Sequence, residues 1–253
     1  MLRTAIQSAR NHDWFASITE FVLLIFGVFL GFQLDRWNSN RIDQLEADEY
    51  GLQLLQDLTV SQQEMQLRID YYETAKEWGQ KALTAWESDT PYPPAQLVIA
   101  FYQATNAIPS SVFRGAYDGL TTNGLLVLIN GQEFASRLAA YYAQPLDDIL
   151  NAESAYRVEI RSLIPVDIQE AVRESCAIAG SAGFLTETLQ RQCQIDISPS
   201  RAAEVIENLT EQPELKKQLT YSISSNTLFR YILELKIKDT ENLRSILAEI
   251  YGD

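Results

Sequence analysis

The sequence predicts an all-α protein: one N-terminal transmembrane helix that continues into a long amphipathic helix, packed with a helical extramembrane bundle. Three observations predict it. Residues 21–34 (Phe-Val-Leu-Leu-Ile-Phe-Gly-Val-Phe-Leu-Gly-Phe-Gln-Leu) carry no charge and a single polar side chain, Gln33. Downstream, Leu58, Met65, Tyr72, Gly79 and Trp86 recur every seven residues, a helical spacing. Period-two alternation is scarce, and Gly and Pro number only 11 and 8 in 253 residues, so strands and tight turns are poorly supported.

The run at 21–34 is by itself shorter than the ~20 residues that cross a hydrocarbon core. Trp14, Phe15, Ala16 and Ile18 extend it upstream, interrupted by Glu20. Trp14 and Trp37 stand 23 residues apart, ~35 Å at the helical rise. That distance is one hydrocarbon core plus its interfaces, where Trp rings settle. The chain therefore divides into a short tail at 1–13, a transmembrane helix at 14–37 with Trp14 and Trp37 as interfacial anchors, and a helical extramembrane domain at 38–253. A signal peptide would end in a small-x-small cleavage site. Gln33-Leu-Asp-Arg-Trp37 offers none, so a retained anchor is expected.

Inside the span, Gly27 and Gly31 form a GxxxG, a spacing that lets two helix backbones approach closely. They are the candidate helix–helix contact. Glu20 is the candidate intramembrane acid. Either it reaches the headgroups from the first turn of the deep span, or it pairs with a donor on a partner helix.

Charge is distributed unevenly. Residues 1–42 hold four arginines against three acids, whereas 43–253 hold 16 basic and 31 acidic residues. A body this acidic repels phosphate backbones, so nucleic acid is not an expected partner, and adsorption of the body on anionic lipid is disfavoured too. Lys and Arg are nearly balanced across the span, which leaves the positive-inside rule close to a tie. Two cysteines exist, Cys176 and Cys193, 17 apart. They either form a disulfide, which needs an oxidising compartment, or stay as two separate buried thiols. Together these features favour the N-terminus inside and the body outside.

In the body, a long amphipathic helix is expected to run from the span to about Glu87. Gln62 and Lys76 interrupt one of its tracks, which favours packing against the chain's own helices over a sustained coiled coil. Ser88-Asp-Thr-Pro-Tyr-Pro-Pro94 breaks it, and Pro94 opens a helix at 95–106. Ser110 and Ser111 are expected to cap another short helix, with a turn-rich junction at 117–124. Asn130 and Glu133 mark a further helix start. Its stripe of Phe134, Leu138, Tyr141, Tyr142, Leu146, Ile149 and Leu150 is expected to be kinked at Pro145. Pro165 precedes a helix at 166–178, and Ser198-Pro199 one to about Asn208. A last helix starts after Gln212-Pro213, with Leu219, Ile223, Leu228, Ile232, Leu235 and Ile237 as its apolar stripe. The 12 tyrosines, among them Tyr71, Tyr72, Tyr141, Tyr142, Tyr156, Tyr221 and Tyr231, are expected to pack rings in the core with hydroxyls at its edge.

Glu20 leading a Gly-containing apolar span with Gly27 and Gly31, followed by Asp35-Arg36-Trp37-Asn38 and by Glu49-Tyr-Gly-Leu-Gln-Leu-Leu-Gln-Asp57-Leu58, resembles a bacterial single-pass membrane family of the domain-of-unknown-function 6090 type. Thr122-Asn-Gly-Leu125 through Ile129, with Leu138, Tyr141 and Tyr142, is similar to a second element of that family. The resemblance covers 18–58 well, 113–142 loosely, and little after 165. Asp35 stands where Asn is usual, and the segment after Trp37 is less basic. The resemblance implies the architecture of a single-pass bacterial membrane protein; taken with the charge balance and the cysteines, the expected location is a bacterial inner membrane with the N-terminus cytoplasmic and the body periplasmic. It implies no reaction.

Catalytic chemistry finds little support. The only histidine, His12, precedes the span, so the body has no imidazole for triads, dyads or zinc-hydrolase sites. Neither GxxxxGK[ST] nor GxGxxG occurs. Asp147 with Asp148, Asp43 to Glu49, and Glu170 to Glu174 lie at helical spacings that suit a solvated face better than an acid–base pair. No cofactor and no metal site is expected. The expected function is non-enzymatic: an accessory or scaffold subunit acting through protein–protein contact, with the lipid bilayer and an integral membrane protein, or a second copy of the chain, as partners. The alternative is an extracytoplasmic ligand-binding or sensor domain working with a membrane partner.

Overall fold

The computed structural model describes residues 13–108, 110–144, 146, 154–178 and 188–252, with the backbone alone at 13–17, 177, 178 and 188. Among these the protein is all-α, with eight helices and one two-residue strand pair. Helix α1 spans Asp13–Leu83 and closes in a 3-10 turn, Thr84–Trp86. Then follow α2 (Pro94–Gln103), α3 (Gly115–Thr122), α4 (Leu126–Tyr142), α5 (Ala155–Leu163) and α6 (Val166–Cys176). Strands β1 (Ala177–Ile178) and β2 (Thr188–Leu189) pair antiparallel, and α7 (Pro199–Thr210) and α8 (Leu215–Tyr251) complete the chain.

Helix α1 runs unbroken for 71 residues because no Pro interrupts it, which makes it about 105 Å long. Its outer part packs against α8, which returns antiparallel beside it. Glu73 of α1 meets Arg230 at 3.4 Å, Gln62 Nε2 donates to Glu241 Oε1 at 2.9 Å, and Tyr251 donates to Asp48 at 3.3 Å. From Ala47 to Ala82 one series of buried positions on α1 steps alternately by four and three residues: Ala47, Gly51, Leu54, Leu58, Ser61, Met65, Arg68, Tyr72, Ala75, Gly79 and Ala82; Tyr71, Thr74 and Trp78 are buried beside it. On α8 the sequence Leu215, Leu219, Ser222, Asn226, Phe229, Leu233, Lys236, Thr240, Leu243 and Leu247 does the same, with Phe229 half-buried. This is a heptad seam between two helices of one chain. Gln62 and Lys76 lie beside it: Gln62 also accepts from Arg244, and Lys76 bonds Glu73 at 3.2 Å.

The second track of α1 is therefore Leu54, Ser61, Arg68, Ala75 and Ala82, with Leu55, Ile69 and Leu83 half-buried beside it. On α8 the expected stripe is also corrected. Leu228 and Leu235 are 53% and 43% exposed, and polar Ser222, Asn226 and Thr240 take seam positions instead. Close approach at the seam selects glycine at position 79, where a Cβ would stand 2.7 Å from Ile223 Cγ1.

The remaining helices cover the hairpin at two levels. Near its open end, α3 and α4 bury Leu120, Phe134 and Leu138 with Leu54, Leu58, Leu243 and Leu247. At the far end, α2, α5, α6 and α7 bury Phe101, Ile160, Val172 and Leu209 with Trp78, Leu215 and Leu219. Tyr72, Met65, Leu233 and Ile237 join the two.

Several local expectations change. Ser110 Oγ is buried without a hydrogen-bond partner among the described residues and caps nothing. The start of α3 is capped from α1 instead: Asp57 Oδ2 accepts the Ala116 N–H at 3.0 Å, and Ser61 Oγ accepts that of Phe113 at 2.9 Å. The expected junction at 117–124 is mostly helix α3. Asn130 and Gly131 do interrupt α4, with Gly131 at φ 77°, a conformation that favours glycine. Helix α4 ends at Tyr142 rather than passing through Pro145, and Pro145, Asp147, Asp148, Ile149 and Leu150 lie outside the described residues. Ser198 caps α7 by accepting the Arg201 N–H, as Ser-Pro predicts.

Candidate functional site

The first candidate is the uncovered part of α1. Residues 18–45 are all exposed, a stretch of 28 residues. At 1.5 Å each this is ~42 Å, the thickness of a bilayer with its headgroups. The chain's own packing begins abruptly at Ala47, which is fully buried. Trp37 is exposed beside the headgroup-length segment 38–45, while the side chain of Trp14 lies outside the described residues. Glu20 is exposed on the first turns of this stretch. A Cβ added at Gly27 or at Gly31 would meet nothing within 4 Å. Both glycines therefore present bare backbone that no part of the described chain fills.

In the body, the structure joins Cys176 and Cys193 in a disulfide, with Cα atoms 5.3 Å apart. The bond ties the end of α6 to the segment leading into α7. It sits under α2, where Gln103 Nε2 donates to Cys176 O at 3.3 Å and Gln96 Nε2 to Cys193 O at 2.9 Å.

Of the tyrosines, Tyr72, Tyr141, Tyr142 and Tyr156 are core residues whose hydroxyls all find partners: Ile108 O at 2.8 Å, Thr240 Oγ1 at 2.8 Å, Phe113 O at 3.1 Å and Phe101 O at 3.0 Å. Burial pushes the Tyr72 and Tyr141 phenols up to about 12. Tyr221 and Tyr231 depart from the expectation, being 72% and 56% exposed on the outer face of α8.

Among the described residues, four of the cavities that indent the body are informative. One of about 200 Å³ lies between α4 and α8 and includes Arg137, Tyr141 and Asp239. One of about 300 Å³ includes Glu77, Trp78, Lys81 and Tyr92, with Lys81 Nζ 4.0 Å from the Trp78 ring centroid. One of about 440 Å³ borders Cys193 and Gln96. The fourth, about 220 Å³, is lined by Arg157, Arg161 and Arg173. None of the four is lined by two carboxylates. Among the described residues no group of three or more His, Cys, Asp or Glu is placed to hold a metal ion.

The arginine cavity draws on residues that the sequence reading passed over. Arg157 and Arg161 sit one turn apart on α5, and that spacing within an acidic body is the signal that was present. Arg173, 12 residues beyond Arg161 and on α6 across the break at Pro165, converges on them only in the fold.

Fold and surface together define the class: an all-α protein with, among the described residues, one helix long and apolar enough to cross a membrane near its N-terminus. Comparison with protein-family models, with curated proteins and with solved structures found no match to the chain.

Proposed function

We propose that this chain is a single-pass membrane protein whose helical body acts through protein–protein contact, as an accessory or scaffold subunit of a membrane complex, with no catalytic role. The observation that carries the reading is the uncovered 18–45 stretch with Gly27 and Gly31 bare on it. Small residues at helix spacing allow close backbone approach, and van der Waals packing of that kind drives helix association in lipid. Glu20 on the same helix offers a polar contact to a partner or to headgroups. The resemblance to the domain-of-unknown-function 6090 type supports a bacterial inner-membrane location. The Cys176–Cys193 disulfide supports a periplasmic body with the N-terminus cytoplasmic, because such bonds persist in oxidising compartments.

The test is chemical cross-linking in native membranes followed by purification in mild detergent. The reading expects a discrete cross-linked dimer or hetero-complex from the wild type and its loss in a Gly27→Leu, Gly31→Leu variant. The melting temperature of the body is expected to stay the same, since neither glycine touches it. A strict monomer with no co-purifying protein would count against the reading. Orientation is checked by labelling an introduced Glu204→Cys, at an exposed site on α7, with a membrane-impermeant maleimide in intact cells.

A second reading, a ligand-binding body that signals through a membrane partner, is favoured by one observation: the cavity at Arg157, Arg161 and Arg173.

A further inference from the structure

Thirty-one acids outnumber 16 bases in residues 43–253, yet three guanidinium groups line one cavity. Elsewhere in the body Arg191 pairs with Glu77, Arg201 with Asp167 and Arg230 with Glu73. Arg157 and Arg161 do not ion-pair with any described carboxylate; their partners are neutral. Arg157 Nη1 donates to Thr105 O at 3.1 Å. Arg161 Nε donates to Thr105 Oγ1 at 3.2 Å, and its Nη2 to Asn106 Oδ1 at 3.1 Å. These bonds fix both side chains by one edge. The Arg161 guanidinium also lies 5.1 Å from the Tyr102 ring centroid, and Arg173 Nη2 donates to the Tyr102 hydroxyl at 3.3 Å.

Each guanidinium has five donors, so the fixed edges leave Arg157 Nη2 and Arg161 Nη1 without a partner among the described residues. Burial, with the like charges of Arg157 and Arg173, lowers the Arg161 pKa from its ordinary value. The site therefore holds positive charge at an electrostatic cost that a bound anion would offset.

We propose that Arg157, Arg161 and Arg173 bind a small soluble oxyanion, a phosphate or carboxylate group presenting two or more oxygens to the guanidinium forks. The volume sets the size. About 220 Å³ is below the usual range for drug-sized ligands and suits a compact anion. The position selects a solute over a lipid headgroup. On the anchor reading, Tyr71 at the cavity wall lies 26 residues beyond Leu45 along α1, ~39 Å from the membrane surface. Binding itself does not depend on that reading, so failure of the anchor leaves the anion site testable by itself.

The full-length protein, in phosphatidylcholine nanodiscs, is titrated calorimetrically with inorganic phosphate and with succinate at constant ionic strength set by chloride. Saturable one-to-one binding of either probe is expected, weakened about tenfold or more in Arg157→Gln and in Arg161→Gln, the size of one lost charge-assisted hydrogen bond. Arg161→Lys, which keeps the charge and loses the fork, is expected to bind with intermediate affinity and guards against misfolding of the Gln variant. Absence of saturable binding by both probes to the wild type overturns the proposal, as does equal affinity in folded Arg157→Gln. Nanodiscs containing phosphatidylglycerol separate the sources. Unchanged affinity there supports a soluble ligand, whereas loss of probe binding means that a headgroup fills the site and overturns it.

Discussion

Lys236 shows how a charged residue can sit in the buried seam and act there as a structural donor. It is 4% exposed, its Nζ donates to the Tyr141 carbonyl near the end of α4, and it lies 3.7 Å from the Tyr141 ring centroid. A cation there satisfies a carbonyl at a helix C-terminus, where four carbonyls lack intrahelical partners. Burial pulls its pKa from 10.5 down to about 8, partly opposed by Asp239. The folded state thus releases this proton before the unfolded state does. Between pH 8 and 10.5 the unfolded chain binds more protons at this site, so its contribution to stability rises with pH through that window. Above pH 10 the buried phenols of Tyr72 and Tyr141, held up at about 12, act in the opposite sense, because the unfolded chain ionises first. The urea midpoint is accordingly expected to rise from pH 8 to 10 in the wild type. In Lys236→Met that rise should be absent; an identical slope in both proteins would refute the assignment.

At the scale of elements, the α1–α8 pair supplies the frame and everything else is fastened to it by specific polar contacts. Trp78 Nε1 donates to Gln190 O at 2.9 Å and Trp86 Nε1 to Thr210 O at 3.1 Å, which pins the segments flanking the disulfide and α7 to the far end of α1. The Cys176–Cys193 bond closes a loop with a separation of 17 residues in a region whose only regular pairing among the described residues is the two-residue β1–β2 ladder. Restricting the unfolded chain by a loop of this length is worth ~3 kcal/mol. The Cys176→Ala, Cys193→Ala double variant is expected to lose that much stability in equilibrium denaturation. Reducing agent should lower the wild type to the variant's level and leave the variant unchanged. A wild type indifferent to reduction would mean that the bond adds nothing.

For the whole molecule, the exposed 18–45 stretch and the buried seam from Ala47 onward place one abrupt boundary on one continuous helix. The antiparallel return of α8 brings Tyr251 back to Asp48 and Gly51, so the open end of the hairpin and the bare helix share one end of the body. If the stretch is an anchor, the protein resists extraction by alkaline carbonate. Ile25→Arg with Phe29→Arg adds ~3 kcal/mol per residue against insertion. This variant is expected in the soluble fraction after extraction, with the wild type in the pellet. Identical partitioning of the two would refute the anchor.

By itself the sequence determined the long apolar N-terminal helix, the all-α class and most helix ends. Those features are local: an uncharged run at 21–34, prolines at 94, 165 and 199, and the cap at Ser198 act on their own neighbours. It also carried one track of the seam, because Leu58, Met65 and Tyr72 are apolar. The other track was hidden, because Ser61 and Arg68 are polar and their burial depends on partners far along the chain, such as the Phe113 N–H at Ser61. Only the tertiary structure decided that α8 is the partner, that Leu228 and Leu235 face outward, that Asp57 caps α3, and that three arginines share a cavity. An apolar or charged side chain declares what it needs; which face meets that need is settled by contacts between residues distant in sequence, and no local pattern encodes those.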